Sequence, residues 1–316
     1  MKRILITGGA GFIGTNLIQQ ITEDQVVAID NLDPYYSIAL KLKNVQTIKD
    51  QTNVEFIQTS LNSHRIEELF QEHKFDTVIH LAAKAGVRQS ILNPVHYYRE
   101  NIINLGILLE YCRKYEVKKF IFASSSSIYG AQRVIPYTED LQSMPISPYA
   151  ATKTAGEALI YNYAYNYEIE CKCLRFFTVY GPRQRPAMAI SNFINNALNK
   201  KPITIFGDGS ILRDFTYVSD IVQGILNCVL YSNPNKFECI NLGGGKPVTI
   251  NTLVELLEEI TGVQIKVNYE ENAIGDMPIT YSNLEKAQNL IGYQPTIPLK
   301  EGLIKTIEWI VANEYY

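Results

Sequence analysis

Short apolar runs alternate with helical patterns along the first half of the chain. Residues 4–6 form a β-branched run typical of a buried parallel strand, and apolar residues at 12, 17, 18 and 21 follow at helical spacing. Further strands are predicted at 26–29, 54–57, 77–81, 119–123 and 170–176. Strands that alternate with helices predict an α/β fold in which helices cover both faces of a parallel sheet.

A glycine turn joins the first strand to the first helix. Gly8 permits the tight turn, Gly11 lets the backbone approach a pyrophosphate, and Gly14 lets the helix pack closely on the strand. The second strand ends at Asp30, where an acidic residue hydrogen-bonds an adenosine ribose and disfavours a 2′-phosphate. The combination predicts a doubly wound Rossmann-type sheet that binds NAD in preference to NADP.

The regular alternation of predicted strands and helices ends at about residue 176. Residues 178–186 are rich in Gly, Pro and Arg and predict a loop, whereas 202–214 contain Phe-Gly-Asp-Gly-Ser and predict a hairpin. Helices are predicted at 249–261 and 299–314. We therefore expect an NAD-binding domain of residues 1–176, to which 213–242 return. Residues 177–212 and 243–316 are expected to form a smaller mixed α/β substrate-binding domain, with the ligand cleft between the two.

Composition narrows the class of protein. The 316 residues are 46% hydrophobic with a formal net charge of −3, so nothing favours binding to nucleic acid or to a membrane. The five cysteines include no Cys-x-x-Cys pair, and the four histidines are scattered, so we expect reduced thiols and no metal. The glycine turn comes too early for a signal peptide, and a cytoplasmic protein is expected.

A tyrosine and a lysine lie four positions apart at the start of a predicted helix. Ser147 suits the N-cap and Pro148 the first turn, so Tyr149 and Lys153 share one face. A neighbouring ammonium stabilises a phenolate and lowers its pKa, which would let Tyr149 remove a proton from a hydroxyl. Tyr115 and Lys119 have the same spacing but straddle a helix end and a strand start, so they are not expected to face one cleft.

Four serines, at 124–127, directly follow the predicted strand at 119–123. Hydroxyls at the carboxyl end of a central strand point into the cleft, where they can hydrogen-bond a reacting hydroxyl or ketone. The three features together predict an NAD-dependent active site.

The combined pattern resembles the extended short-chain dehydrogenase/reductases, in particular the nucleotide-sugar 4-epimerases. The resemblance is carried by Thr-Gly-Gly-Ala-Gly-Phe-Ile-Gly at 7–14, His-Leu-Ala-Ala at 80–83, Arg-Asp-Phe-Thr-Tyr-Val at 213–218, and the serine and Tyr/Lys positions. It implies Ser125, Tyr149 and Lys153 as the catalytic set, and a homodimer formed through two long helices. The residues that it implies around NAD are Gly8, Gly11, Phe12, Ile13, Gly14, Asp30, Asn31, Leu81, Ala82, Ala83, Lys84, Asn101, Tyr149 and Lys153.

Narrower features resemble the UDP-glucuronate 4-epimerase branch. They are Asp-Pro-Tyr-Tyr-Ser at 33–37, Ala-Lys-Ala-Gly-Val-Arg at 83–88, the segment at 175–186, and Gly-Asp-Met-Pro at 275–278. The implied substrates are UDP-glucuronate and UDP-galacturonate, with Arg213 on the phosphates and Asp276 on the uridine ribose. The full implied substrate-binding set is Arg88, Ser125, Ser126, Ser127, Tyr149, Thr178, Arg185, Arg213 and Asp276. Ser60, Ala187 and Leu212 depart from the family pattern outside the catalytic set.

Related reactions share the first step and differ in the fate of the 4-keto sugar. The family's dehydratases carry Asp-Glu at the positions of Ser126 and Ser127, and its uronate decarboxylases carry glutamate at Ser127. Neutral hydroxyls at both positions favour 4-epimerisation. The alternatives that stay open are a 4-epimerase of UDP-glucose or UDP-N-acetylhexosamine, a UDP-glucuronate decarboxylase, and a catalytically silent relative that senses NAD.

Overall fold

The protein is described here by a computed structural model that covers residues 1–232, 235–271, 275, 277 and 279–314. Its strands are β1 (Arg3–Thr7), β2 (Gln25–Asp30), β3 (Val54–Gln58), β4 (Thr77–His80), β5 (Lys119–Ser125), β6 (Glu170–Phe176), β7 (Thr178–Tyr180), β8 (Ile203–Phe206), β9 (Leu212–Arg213), β10 (Phe215–Tyr217), β11 (Phe237–Leu242), β12 (Val248–Thr249) and β13 (Val267–Glu270).

The α-helices are α1 (Phe12–Ile18), α2 (Ile38–Lys49), α3 (Arg65–His73), α4 (Val87–Leu92), α5 (Pro94–Tyr98), α6 (Asn104–Lys114), α7 (Pro148–Tyr167), α8 (Ala189–Leu198), α9 (Val218–Leu230), α10 (Ile250–Thr261), α11 (Glu285–Ile291) and α12 (Leu299–Ala312). A π-helical turn spans Arg99–Ile103 and a 3-10 turn spans Ser126–Tyr129. Within the described ranges, no helix has the length and apolar character needed to cross a membrane.

Seven parallel strands form the central sheet in the order β11-β6-β5-β4-β1-β2-β3. This order confirms the predicted Rossmann-type sheet, and all six strands predicted for it are present. The seventh, β11, pairs only with β6 and was not predicted as a strand. The strand order reverses between β1 and β4, so the loops after these two strands border the crevice in which such folds bind ligands.

Two apolar layers hold helices against the sheet. Leu5, Val78 and Phe120 face α6 and α7 on one side, where Leu105, Leu108 and Ile160 cover them. The alternate residues of the same strands face α1 and α9 on the other side of the sheet. Leu17, Ile18, Ile221 and Ile225 of these two helices cover them. Successive side chains of a strand point to opposite faces, so strands buried on both faces are continuously apolar.

A third apolar core lies outside the sheet. It joins α8, α10 and α12 through residues that include Phe193, Leu253, Leu257, Leu303 and Ile310. Beside it, β8 pairs with β13, β9 with β12 and β7 with β10. The strand β7 lies inside the segment predicted as a loop, which corrects that prediction for its first three residues.

The predicted hairpin at 202–214 is wrong. Gly207 and Gly209 both have a φ of +77°, so the segment does turn, but β8 and β9 pair with different strands. The chain leaves the turn toward α10, because Asn251 N donates to Gly209 O at 3.1 Å and Asn251 Nδ2 donates to Asp208 O at 3.1 Å. The turn therefore connects two small sheets.

Candidate active site

The glycine turn lies against the loop that follows β4. Gly8 has a φ of +74°, and a Cβ there would be 2.8 Å from Ala82 N. Gly11 N donates to Gly8 O at 3.0 Å, and a Cβ on Gly14 would be only 2.2 Å from that oxygen. Larger residues would open the turn. Phe12 and Ile13 follow at the start of α1, partly buried against the apolar core.

Asp30 is buried at the carboxyl end of β2, beside this turn. Its Oδ1 accepts a hydrogen bond from Leu32 N at 2.8 Å and lies 3.6 Å from Lys41 Nζ. Asn31 is exposed next to it, where its Oδ1 accepts from Asp33 N at 3.0 Å. Lys41 was not foreseen, because it lies on α2 and reaches the carboxylate only through the fold.

Asn101 fixes the loop that contains Leu81, Ala82, Ala83 and Lys84. Its side chain accepts from Lys84 N at 2.8 Å and donates to Lys84 O at 2.9 Å and to Thr152 Oγ1 at 3.0 Å. Asn101 lies within the π-helical turn, a distortion that often occurs at functional sites. Through these hydrogen bonds, Asn101 connects the loop after β4 to α7. The π-helical turn has no signal in the sequence.

His80 ends β4 beneath this loop. Thr7 Oγ1 accepts from Ala82 N at 3.2 Å and lies 2.7 Å from His80 Nδ1, within hydrogen-bond distance of the imidazole. Burial, followed by the charge of Lys153, lowers the pKa of His80 to about 3. The imidazole is therefore neutral.

The structure brings Ser125, Tyr149 and Lys153 together. Ser147 caps α7 through Ala150 N, with Pro148 in the first turn, as predicted. Ser127 donates to Ser125 Oγ from its N at 3.2 Å and from its Oγ at 2.9 Å. Both lone pairs of Ser125 are thereby used, which leaves its hydroxyl hydrogen for the bond to the Tyr149 oxygen.

The expected effect of Lys153 on Tyr149 needs correction. Burial raises the pKa of Tyr149, and the opposing influences are the hydrogen bond from Ser125 and the charge of Arg185. Lys153 Nζ lies 5.8 Å from the Tyr149 ring centre and donates to Ala123 O at 2.6 Å. Burial also lowers the pKa of Lys153 to about 7, which weakens its action as a fixed positive charge. In the protein alone, Arg185 is therefore the cation that favours the phenolate.

Three further hydroxyls border the same cleft. Ser126 and Ser127 are buried in the 3-10 turn after β5. Thr178 follows β6, and its N donates to Asp214 O at 3.0 Å. Ser125 pairs in register with Phe176, so these hydroxyls follow neighbouring strands at one edge of the sheet.

Arg185 lies beside Tyr149 and Tyr35. Its Nη1 donates to Ala85 O at 3.4 Å, and its guanidinium carbon is 5.1 Å from the centre of the Tyr35 ring. Arg88 stacks on Phe206 with 3.7 Å between the guanidinium carbon and the ring centre, and Arg213 Nη1 donates to Leu212 O at 3.0 Å. Asp276 lies outside the described residues, so its predicted place on the ribose has no structural counterpart here.

A buried ion pair beneath the site was missed by sequence reasoning. Glu157 accepts from Arg175 Nε at 3.0 Å, from Arg175 Nη2 at 2.8 Å and from Ser124 Oγ at 2.5 Å. Arg175 also donates to Tyr129 OH at 2.9 Å. Glu157 lies one turn after Lys153 on α7, a spacing that is the only signal the sequence offers. The pair ties α7 to β6 directly below the serines.

The Tyr115 and Lys119 pair lies outside the site, as predicted. Tyr115 OH donates to Glu67 Oε1 at 3.0 Å, whereas Lys119 Nζ donates to the carbonyl oxygens of Cys228, Val229 and Tyr231 at the end of α9. Among the residues that the structure describes, no group of three His, Cys, Asp or Glu side chains could hold a metal ion.

Comparison with known proteins places this arrangement among sugar-nucleotide enzymes. Residues 4–243 match the sequence profile of the NAD dependent epimerase/dehydratase family. A UDP-glucuronate 4-epimerase of Thermodesulfobacterium geofontis is 40% identical over 99% of this chain and 97% of its own length.

Solved structures give the same result. The UDP-glucuronic acid 4-epimerase of Bacillus cereus, in complex with UDP-glucuronic acid and NAD, is 38% identical and superposes with a TM-score of 0.93 over 98% of this chain and 99% of its own. The UDP-glucose 4-epimerase of Thermotoga maritima, with UDP-glucose, is 34% identical, with a TM-score of 0.91 over 99% of both chains.

Proposed function

The chain belongs to the NAD dependent epimerase/dehydratase family, and from this membership we propose that it is an isomerase that interconverts UDP-glucuronic acid and UDP-galacturonic acid. The observation that carries the proposal is the arrangement at Tyr149: its oxygen receives a hydrogen bond from Ser125 and lies near the positive charge of Arg185. A tyrosine in this setting suits proton transfer at a sugar hydroxyl, and the arginine suits an acidic sugar.

The residues at the carboxyl edge of β1, β2 and β4 fit NAD. The tight packing at Gly8 and Gly14 keeps the turn small enough for a pyrophosphate to approach, and buried Asp30 follows the neighbouring strand, where a ribose would lie. We assign cofactor contacts to this turn with Phe12 and Ile13, to Asp30 and Asn31, to the loop at 81–84, and to Asn101, Tyr149 and Lys153. NAD, when bound, supplies a reversible acceptor for the hydride on C4 of the sugar.

The chain's own residues move the proton. Tyr149 takes the hydrogen of the C4 hydroxyl as C4 becomes a ketone, and Ser125 donates a hydrogen bond that stabilises the negative oxygen in either direction. Tyr149 then returns the proton after the ketone has been reduced on its other face, which inverts C4. The reaction consumes no net reductant.

The carboxylate of the uronic acid needs donors that do not protonate the ketone intermediate. Ser126 and Thr178 are neutral donors and Arg185 supplies charge, so together they hold the carboxylate by charge-assisted hydrogen bonds, while the hydroxyl hydrogen of Ser127 stays on Ser125 Oγ. We assign Arg88, Arg213 and Asp276 to the UDP part of the substrate.

Incubation of the protein with UDP-glucuronic acid and NAD tests the proposal, with the products identified by NMR. The expected product is UDP-galacturonic acid. In Thr178→Ala the carboxylate is held less firmly, so we expect UDP-pentose and carbon dioxide to appear and the KM for the uronate to rise by roughly tenfold or more. A wild-type protein that prefers UDP-glucose, or whose main product is a UDP-pentose, would contradict the assignment.

A neutral sugar is the second candidate, since the Thermotoga maritima relative is a UDP-glucose 4-epimerase. The two functions differ in what Arg185 contributes. Arg185→Met should lower the turnover of both sugars, because it removes the charge that favours the Tyr149 phenolate. In a uronate epimerase the loss should be far larger for UDP-glucuronate than for UDP-glucose, whereas in an epimerase of neutral hexoses the two losses should be similar.

Three coarser features complete the proposal. We divide the chain into an NAD-binding domain, 1–176 with 213–242, and a UDP-sugar-binding domain, 177–212 with 243–316; the separate core around α8, α10 and α12 supports this division.

We propose a homodimer that packs through α6 and α7, because Tyr161 and Tyr165 on α7 are 53% and 76% exposed. We assign the enzyme to the cytoplasm, which fits its five free cysteines.

A further inference from the structure

The loop between β2 and α2 contacts the loop that follows β4. Asn31 Oδ1 accepts from Asp33 N at 3.0 Å and Asp33 Oδ1 accepts from Tyr35 N at 2.9 Å, so two consecutive side-chain turns shape the loop. Asp33 also forms an ion pair with Lys84 at 2.5 Å between Oδ1 and Nζ. The loop that begins beside Asp30 is thereby tied to the loop after β4.

Tyr35 is the residue that this loop extends toward the reacting centre. Its ring centre lies 5.1 Å from the guanidinium carbon of Arg185 and 5.2 Å from Lys84 Nζ, so two cations contact one aromatic ring. The Tyr35 hydroxyl occupies space that only a glycine at 86 leaves open, because a Cβ there would be 2.6 Å from the oxygen. This hydroxyl also forms a hydrogen bond with the hydroxyl of Tyr97.

Among the residues that the structure describes, the other hydrogen-bond contacts of Arg185 are weak. Its Nη1 bond to Ala85 O is long, at 3.4 Å, and its Nη2 meets the sulfur of Met188 at 3.5 Å, a weak acceptor. An arginine side chain has many rotamers, so an aromatic face that holds it in one orientation has a large effect on where its charge lies. The same Tyr35 ring belongs to the group of side chains around Tyr149.

We propose that Tyr35 is a positioning residue for substrate choice: it holds the Arg185 guanidinium beside Tyr149, where it faces the carboxylate of a uronic acid. The inference rests on the function proposed above and goes beyond it, because it explains how the carboxylate is restrained during the reaction by a residue outside the set that contacts the sugar.

The restraint matters because the oxidised sugar is a β-keto acid. If the carboxylate turns so that the C5–C6 bond is parallel to the carbonyl π system, that bond breaks. Its electron pair forms the C4–C5 enolate, C6 leaves as carbon dioxide, and C5 takes a proton from water, which gives a UDP-4-keto-pentose. Return to its C4 of the hydride that was removed in the first step, with a proton on the oxygen, would give the UDP-pentose. A guanidinium fixed on the carboxylate prevents this alignment.

The test compares Tyr35→Leu, which keeps apolar bulk but removes the π face, with Tyr35→Phe, which keeps the face and loses the hydroxyl. For Tyr35→Leu we expect the KM for UDP-glucuronate to rise about tenfold and the fraction of UDP-pentose to increase at least about fivefold. The turnover of UDP-glucose should fall by a smaller factor than that of UDP-glucuronate, because both sugars lose the Arg185 charge beside Tyr149 and only the uronate also loses a partner of its carboxylate. Tyr35→Phe should remain within about twofold of wild type in all three quantities. Tyr269→Ala, at an exposed tyrosine on β13, is the control for aromatic loss.

Asp33→Asn provides a second route if Tyr35→Leu does not fold, as judged by thermal melting. It removes the ion pair to Lys84 and should raise the UDP-pentose fraction in the same direction, by a smaller factor. If Tyr35→Leu folds and keeps the wild-type KM and the wild-type products, the role proposed for Tyr35 is wrong. It is also wrong if only Asp33→Asn folds and the products of that variant are those of wild type. Either result leaves the proposed function standing. A wild-type protein that does not turn over UDP-glucuronate overturns the proposed function as well.

Discussion

The oxygen of Tyr149 is influenced by opposing groups in its immediate surroundings. Burial disfavours the phenolate, whereas the Ser125 hydroxyl and the Arg185 charge favour it. Lys153, whose ammonium faces Ala123 O, acts less directly than its spacing indicated. At this scale, the positive charge that favours the Tyr149 phenolate comes from an arginine that is 36 positions further along the chain.

Replacing Tyr149 by phenylalanine removes the group that we propose takes the C4 proton. We expect kcat to fall by about 10²–10⁴-fold while the affinity for the UDP-sugar persists, because the ring is retained. Steady-state kinetics with UDP-glucuronate and calorimetric binding measure the two quantities. Tyr115→Phe, at the tyrosine of the second Tyr-x-x-x-Lys pair, should retain wild-type turnover; if both variants behaved alike, the assignment would be wrong.

His80 gives the folded protein a dependence on pH. The pKa of His80 is about 3 in the folded protein against an ordinary value of 6.5, so the unfolded chain binds a proton first as the pH falls. The contribution of neutral His80 to the free energy of unfolding is complete above pH 6.5. It is lost as the pH falls toward 3, at about 1.4 kcal/mol per pH unit. We expect the free energy of unfolding, measured by urea titrations between pH 6.5 and 5, to show this dependence on pH in wild type and in the surface variant His64→Gln. In His80→Gln the dependence should be smaller by that amount.

At the scale of elements, α7 is held to the sheet by a charge pair as well as by apolar packing. Glu157→Gln leaves Arg175 buried without its counter-charge, and we expect the free energy of unfolding to fall by about 3–5 kcal/mol. The exposed pair Lys236–Glu168 is the matched control, since Glu168→Gln should cost less than about 1 kcal/mol. Urea unfolding of the two variants compares them; equal midpoints would contradict the role given to the buried pair.

Most elements were predictable where the signal is local. Apolar residues beside helical patterns mark all six strands β1–β6, although β3 and β6 also carry charged residues, and α7 carries its own N-cap and its Tyr/Lys spacing within a few residues. The strand β11 carries Glu238 and Asn241 and pairs on one side only, so its signal is weaker. The hairpin prediction failed because the turn residues specify a bend but not the strand that follows it.

The same reasoning explains which parts of the candidate site were found. Glycines, serines and the Tyr/Lys pair are contiguous or one helical turn apart, so a sequence shows them. The contacts Asp33–Lys84, Tyr35–Arg185 and Glu157–Arg175 join segments 18 to 150 positions apart. Such contacts follow from the order of the strands, which no local pattern encodes.

At the scale of the whole molecule, the proposed homodimer would bury the aromatic surface of α7. Tyr165 is 76% exposed and lies 6.2 Å from the Tyr161 ring. Tyr165→Glu places a charge in that interface, so we expect sedimentation to report a dimer for wild type and a monomer for the variant at micromolar concentration. Tyr269→Glu, on β13, should sediment as wild type. A monomeric wild type would remove the basis for this interface.

The order of the strands also determines how long one strand lacks its partner while the chain is synthesised on the ribosome. One side of β6 pairs with β5, but the partner of its other side, β11, leaves the ribosome about 60 residues later, on the order of 3–13 s at ordinary rates of elongation. During that interval β6 is an open edge that a second nascent chain could pair with. Glu170, Lys172 and Arg175 lie along it, and charged side chains on an edge oppose such pairing. We therefore expect these charges, two of which (Lys172 and Arg175) are buried in the finished protein, to oppose aggregation of the growing chain.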